Sequence, residues 1–286
     1  MFINMSNSKI NKSLIKNPTL EGREALYVIK IGGNIIDDEN KLSSFLKSFA
    51  DLSGLKVLIH GGGKLATRLA EQLGVQQQLI EGRRITDAET LKIVTMVYAG
   101  YINKNIVAQL QSQGSNAVGL SGADGNLIKA HKRPPLGDGG IDFGFVGDVD
   151  AVNNMLIKSL LDQHISIVIA PITQDKNGQL LNTNADTIAQ EIAKAMSNDY
   201  EVHLIYSFEK SGVLLNAEDD NSVIQTINPA YYKELKDNNV IFAGMIPKLD
   251  NAFMAVQQGV KRVVIGKAEQ LHQLITGDAG TSIIHE

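Results

Sequence analysis

Short apolar runs and helical periods alternate along most of this chain. Residues 27–33 (Tyr-Val-Ile-Lys-Ile-Gly-Gly) read as an apolar strand that ends in two glycines. Residues 39–52 then place Leu42, Phe45, Leu46 and Phe49 at helical spacing, with Gly54 as the stop. The unit repeats at once. Residues 55–60 form a second apolar run, Gly61, Gly62 and Gly63 follow it, and a helix is expected over 64–73, closed by Gly74. A strand, helix and next strand at this spacing predict a parallel βαβ crossover.

A polar connector at 81–85 leads to Thr86-Asp87-Ala88-Glu89, which has the form of a capping box. One helix is expected from there to about 113, with Ile93, Met96, Val97, Ile102, Ile106 and Leu110 on its apolar stripe. A third strand at 116–120 precedes a Gly/Asp loop at 121–125. Short strands at 127–131 and 145–149 flank a turn-rich stretch and predict an antiparallel hairpin inserted between parallel units.

Downstream, a helix at 155–162 and a buried-type strand at 165–170 precede a helix that Asn184 caps and that runs to 196. Strands are expected at 202–206, 211–215, 262–266 and 281–284, with helices at 229–237, from about 246 to 259, and at 269–275. The whole predicts an α/β fold, a single αβα sandwich with a mainly parallel central sheet and an inserted β-hairpin.

Composition narrows the function classes. With 286 residues, 43% of them apolar and 20% charged, the chain is long enough for a large core, as one domain or two lobes. A net charge of −4 with mixed signs points to neither nucleic acid nor a membrane surface as a partner. There is no cysteine, which excludes disulfides and thiolate chemistry, and a cytoplasmic location needs no special argument. Residues 1–24 are polar and predict a flexible N-terminal extension, although Ile10, Leu14 and Ile15 offer one apolar stripe for docking on another subunit.

Four charged residues stand out against this frame. Lys30 lies inside an apolar strand, where an unpaired ammonium is costly; it either meets an anion or snorkels to solvent. Ligands of parallel sheets sit at the carboxyl ends of strands, where both glycine clusters fall, so a phosphate site outweighs an ordinary turn. Arg84 either joins a solvated face or forks onto a substrate carboxylate. Asp186, early in its helix, suits the helix dipole or orients an ammonium group. Lys248 stands in a first helical turn, against the dipole preference, unless an anion binds there. No Walker loop, dinucleotide fingerprint, zinc-protease helix or nucleophile elbow is present, and the six histidines form no metal-ligand spacing.

Over roughly residues 26–285 these motifs resemble the amino acid kinase family. They are Lys30-Ile31-Gly32-Gly33, His60-Gly61-Gly62-Gly63, Gly82-Arg83-Arg84-Ile85-Thr86, Asn182-Thr183-Asn184-Ala185-Asp186, Gly244-Met245-Ile246-Pro247-Lys248 and Gly280-Thr281-Ser282-Ile283. The set is similar to the branch acting on N-acetyl-L-glutamate. The resemblance implies an amino acid kinase domain over 25–286, with an acyl-amino-acid half at about 25–175 and a nucleotide half at about 176–286. It implies ATP-dependent phosphorylation of the side-chain carboxylate, in arginine biosynthesis, with Mg²⁺ held mainly by the nucleotide's phosphates and no protein metal site.

By the same resemblance Lys30 and Lys248 stabilise the transferring phosphoryl group and Asp186 holds both ammonium groups. Gly32, Gly33 and Gly61 bind phosphate, Gly62, Gly63, Arg84 and Asn182 bind the acylated amino acid, and Tyr206, Glu209, Gly212 and Met245 line the nucleotide site. A homodimer is the family expectation. The stretch Ser207-Phe208-Glu209-Lys210-Ser211-Gly212 departs from the family pattern, with Glu209 in place of the usual aspartate. An N-succinyl substrate would need a further cationic contact, for which Lys129, Lys132 and Arg133 stand near the hairpin. Another kinase of the family and a non-catalytic arginine or nucleotide sensor are the remaining readings.

Overall fold

The computed structural model describes residues 22–80, 83–135, 140–216, 218–238, 240–241 and 245–285. After β1 (Ala25–Ile31) the chain makes a one-turn helix, α1 (Gly33–Ile36), and the longer α2 (Glu39–Asp51). It returns through β2 (Leu55–Ile59) and α3 (Gly63–Gln72), then a short hairpin, β3 (Leu79–Ile80) and β4 (Arg83–Arg84). Next come α4 (Ala88–Thr95), a π-helical segment at Met96–Ile102, and α5 (Asn103–Ser112). The middle of the chain holds β5 (Ala117–Ser121), β6 (Ile128–Lys132), β7 (Val146–Val152), α6 (Asn154–Leu161), β8 (Ser166–Ala170), β9 (Ile172–Gln174) and β10 (Leu180–Thr183). The last stretch comprises α7 (Ala185–Met196), β11 (Glu201–Phe208), β12 (Thr226–Ile227), α8 (Pro229–Asp237), α9 (Ile246–Gln257), β13 (Arg262–Lys267), α10 (Leu271–Thr276) and β14 (Thr281–Ile283).

Eight strands form one sheet in the order β12-β14-β13-β11-β1-β2-β8-β5. Only the β13–β14 pairing in it is antiparallel. Apolar side chains cover both faces, as a parallel sheet requires. Along β1, Leu26 and Val28 join the core under α7 and α9, while Ile29 and Ile31 join the core under α2, α3 and α5. Alternation puts Lys30 on the same face as Val28, the face that α7 covers. The first turn of α7 contains Asp186. Period two along β1 and a capped helix above it therefore bring the lysine and the aspartate together.

The expected hairpin exists as β6 and β7, but it is half of a closed four-stranded sheet, β10-β7-β6-β9. Its other two strands are three and four residues long and Thr/Asn-containing, too short for alternation to declare itself. A buried hydroxyl pair, Thr173 Oγ1 to Thr183 Oγ1 at 2.7 Å, joins them. Gly147 of β7 passes so close that a Cβ there would lie 2.6 Å from Thr183 Oγ1.

Three further expectations change. The long helix is interrupted by its π-helical segment, which rotates Met96 out to 55% exposure while Val97, Tyr98 and Ile102 stay buried. The cap of α4 is Asp87, whose carboxylate accepts from Thr90 N at 2.7 Å; Thr86 is buried instead and serves the site. Around 211–215 an isolated bridge, Leu214 with Val223, replaces the expected strand. The proposed extension at 1–24 lies almost wholly outside the described residues, as do Gly82 and Gly244.

Candidate active site

Lys30 solves its burial problem with a carboxylate. Its Nζ stands 2.8 Å from Asp186 Oδ1, with the two side chains 19% and 36% exposed, so the pair is sheltered yet reachable. On the neighbouring strand Lys56 shows the purely structural solution: its ammonium donates to the carbonyls of Phe49, Ala50 and Leu52 at 2.8–3.0 Å and closes the end of α2. Lys56 is 8% exposed and its ammonium is spent on those carbonyls, whereas Lys30 faces a cavity shared with Lys248.

Strand register sets the two glycine turns side by side, because Lys30 pairs with Ile59 in the parallel β1–β2 ladder. Gly32 N donates to Ser207 O at 3.1 Å, which ties the first turn to β11. In the second, Gly62 has φ +145°, a conformation reserved for glycine, and a Cβ there would overlap Ile102 Cδ1. A hydrogen bond from Lys64 Nζ to Asn34 Oδ1 links the two turns.

The helix starts differ in how they are capped. Asp38, Asp87, Asn153, Asn184 and Asn228 cap α2, α4, α6, α7 and α8 with their side chains. Among the described residues α1 and α3, which begin at the glycine turns, and α9, whose first turn holds Lys248, have no side-chain cap, and neither do α5 and α10. The first-turn N–H groups of α1, α3 and α9 remain available to an oxyanion, as at other phosphate-binding helix starts.

Behind the second turn, His60 is fully buried and burial lowers its pKa to about 4. Asn103 Nδ2 donates to Val168 O at 3.0 Å and faces His60 Nε2 at 3.3 Å. That amide orientation makes Nε2 the acceptor, so the proton sits on Nδ1 and is donated to Gly61 O at 2.9 Å. A neutral imidazole thus pins the second glycine turn to the start of α5.

Beside this turn opens a cleft of about 600 Å³, lined by Gly63, Lys64, Thr67, Arg84, Tyr98 and Asn182 among others. Arg84 donates to Gly63 O at 3.0 Å, to Thr67 Oγ1 at 2.8 Å and to Gln77 Oε1. These contacts occupy three of the five guanidinium N–H groups, both of those on Nη2 among them, and fix the guanidinium at the cleft wall. Asn182 Nδ2 donates to the buried Thr86 Oγ1 at 3.1 Å. Burial raises the pKa of the Tyr98 phenol, against the opposing guanidinium of Arg84, so it stays a neutral hydroxyl.

A second, smaller cavity is lined by Lys30, Asp186, Tyr206, Ser207, Phe208, Lys248 and Asn251. Tyr206 OH donates to the Asp186 carbonyl at 3.3 Å; burial, then the charges of Asp186 and Glu191, push its pKa up. Asp186 does not hold both lysines. It pairs with Lys30, and Lys248 places its Nζ 4.7 Å from the centre of the Phe208 ring. Glu209 is exposed, and Met245 is buried in the core at the start of α9. Gly212 packs on β14, where a Cβ would lie 2.7 Å from Thr281 Oγ1. Neither Met245 nor Gly212 lines the cavity that holds the two lysines.

A model described as "Amino acid kinase family" matches residues 25–267. The chain belongs to the amino acid kinase family. Among curated relatives, acetylglutamate kinase of Cytophaga hutchinsonii is 55% identical over 263 residues, which is 91% of this chain and 99% of that protein. Acetylglutamate kinase of Parabacteroides distasonis is 54% identical over 250 residues, 87% of this chain and 97% of that protein. The solved N-acetylglutamate synthase of Neisseria gonorrhoeae, complexed with coenzyme A and N-acetyl-glutamate, superposes with a TM-score of 0.76. At 22% identity, over 92% of this chain and 60% of that one, it shares the fold.

Around the site the sequence signals were uneven. Thr86 closes the Gly82–Thr86 motif of the family resemblance but read locally as part of a capping box, and Tyr98 and Asn103 lay on what read as one regular helix. Phe208 stood in the one stretch that departs from the family pattern, and that departure was the available clue.

Proposed function

We propose that the chain catalyses ATP-dependent phosphorylation of the side-chain carboxylate of N-acetyl-L-glutamate, giving N-acetyl-L-glutamyl 5-phosphate and ADP in arginine biosynthesis. The observation that carries this is the Lys30–Asp186 ion pair set between two glycine turns with uncapped helix starts. The full-length likeness to acetylglutamate kinases at 54–55% identity supports the choice of acceptor.

The chemistry asks little of an acid or base, because a carboxylate is already ionised and nucleophilic near neutral pH. An acceptor oxygen attacks the γ-phosphorus, the bond to the β-bridging oxygen breaks, and ADP leaves with that electron pair. The protein's part is to align two anions that repel and to offset charge on the phosphoryl oxygens. Arg84 and Asn182 hold the acylated amino acid, with Arg84 on its free α-carboxylate. The amides of Gly33, Gly61 and Gly63 face the phosphoryl oxygens, and Lys30 and Lys248 flank them; the Gly32 amide, expected to bind phosphate, is spent on Ser207 O and shapes the turn. Asp186 aims the Lys30 ammonium. The nucleotide lies over the β11–α9 side, with Tyr206 behind the phosphates. When bound, Mg²⁺ supplies charge neutralisation on those phosphates; among the described residues no three His, Asp or Glu side chains converge on a metal position.

Two of the cations that an N-succinyl group would need are engaged elsewhere: Arg133 pairs with Asp148 at 2.5 Å and Lys132 with Asp142 at 3.0 Å. Retention of Lys30, Asp186 and Lys248 speaks against a non-catalytic sensor. A cytoplasmic homodimer completes the reading, and exposed Met96 and Tyr101 on the π-helical segment support self-association. No helix of the described residues is long and apolar enough to cross a membrane. Incubation with ATP, Mg²⁺, N-acetylglutamate and hydroxylamine should trap a hydroxamate, and its absence at millimolar substrate would sink the assignment. Sedimentation at a monomer's mass would remove the dimer.

A further inference from the structure

We propose that Phe208 is the positioning residue for Lys248: its ring face seats the ammonium at the rim of the Lys30–Asp186 cavity without neutralising it. This rests on the phosphoryl-transfer reading above. Three observations carry it. Lys248 stands in the first turn of α9, where the helix dipole disfavours a cation and no side chain caps the turn. The nearby carboxylate, Asp186, is engaged by Lys30 at 2.8 Å. The contact that Lys248 does make is with the ring of Phe208, whose centre lies 4.7 Å from Nζ, within cation–π range.

The Phe208 side chain packs partly buried against the core, and its backbone is fixed. Phe208 ends β11, paired in register with Lys267 of β13, one residue after Ser207, whose carbonyl accepts from Gly32 N at 3.1 Å. A Cβ placed on Gly32 would lie 3.6 Å from Phe208 Cβ, so the root of the Phe208 side chain adjoins the first glycine turn. The seat for Lys248 is therefore built onto the same turn that offers amides to the phosphoryl group.

An aromatic face suits this task better than a carboxylate. It attracts the ammonium through the ring quadrupole but adds no opposing charge, so the full positive charge is left for the phosphoryl oxygens. The two lysines then have different supports: a carboxylate that fixes Lys30, and a ring from which Lys248 can advance as charge builds up.

The test compares Phe208→Leu and Phe208→Tyr in the hydroxamate assay, with KM measured for both substrates. Loss of the ring should lower kcat about three- to thirty-fold, the span of a cation–π contact expressed as rate. KM should stay within about twofold, and Phe208→Tyr should restore kcat. On a Lys248→Met background Phe208→Leu should add no further loss, whereas a packing role would add one. An unchanged kcat in Phe208→Leu, an equal loss in Phe208→Tyr, or a loss confined to KM overturns the proposal. A second readout needs no turnover and serves if the leucine variant does not fold. In protein carrying ¹³C at lysine Cε, the Lys248 methylene, assigned by its disappearance in Lys248→Met, should be ring-current shifted upfield. An unshifted signal overturns the seat. Wild-type protein that makes no hydroxamate but shows the shift fails the reaction and keeps the seat.

Discussion

Around Gly61, Gly62 and Gly63 the polar groups are held from behind, whereas in the cavity of Lys30 and Asp186 Lys248 leans on a ring. On the first side His60, Asn103, Thr67, Gln77 and Thr86 fix the glycine turn, Arg84 and Asn182 through a chain of hydrogen bonds. On the second, Asp186 is committed to Lys30, and Lys248 is exposed at the start of an uncapped helix. The difference follows the chemistry. An amino acid derivative with fixed carboxylates is best met by preorganised donors. A phosphoryl group in transit changes its charge distribution during the reaction, and a mobile cation can follow it.

The comparison breaks first at Lys30. Lys30→Met removes a charge aimed at the phosphoryl group and leaves Asp186 unpaired, and a loss in kcat of about 10²–10³ is expected, the scale of removing one such donor. Steady-state rates check it; a loss below tenfold would show that Lys30 is a structural partner only.

The held side has a pH signature. Burial lowers the pKa of His60 from 6.5 to about 4. Between those values the unfolded chain binds more protons than the native one, so stability falls as pH drops from 6.5 towards 4 and is retained above 6.5. At 1.36 kcal/mol per unit this is about 3 kcal/mol in all. Urea unfolding from pH 7.5 to 4.5 should show that slope in wild type and its loss in His60→Asn. Parallel slopes would mean that His60 does not titrate as argued.

A smaller effect tests the turn itself. Gly62→Ala places a Cβ in a positive-φ conformation and against Ile102, for a cost of about 2 kcal/mol, with KM for the acylated amino acid raised more than KM for ATP. Equal rises in the two would blur the division between the sides.

Much of this was legible in the sequence because the fold is built from repeated strand–glycine–helix units with clean periods. Lys30 inside an apolar strand announced an anion, and Asn184 announced the start of α7. Where local and tertiary signals competed, the reading slipped. Thr86-x-x-Glu89 satisfies the capping-box pattern, but Asp87 sits one residue nearer the helix and wins the cap, which frees Thr86 to orient Asn182. The period from 88 to 112 is continuous in composition, so the π-helical turn that presents Tyr98 and Ile102 to Gly62 left no mark. β9 and β10 are too short to carry a period. The pairing of Lys248 with a ring instead of Asp186 depends on side-chain geometry that spacing does not encode.

On the proposed reading the side of Arg84 binds and the side of Lys248 reacts. Parallel steady-state kinetics of Arg84→Gln and Lys248→Met test it most directly. The account predicts a KM for N-acetylglutamate raised at least tenfold in Arg84→Gln with kcat within about threefold, consistent with a lost charge-assisted pair. For Lys248→Met it predicts the reverse, a kcat lowered at least tenfold with both KM values within about threefold. A lowered kcat in Arg84→Gln together with a raised KM and normal kcat in Lys248→Met would contradict it.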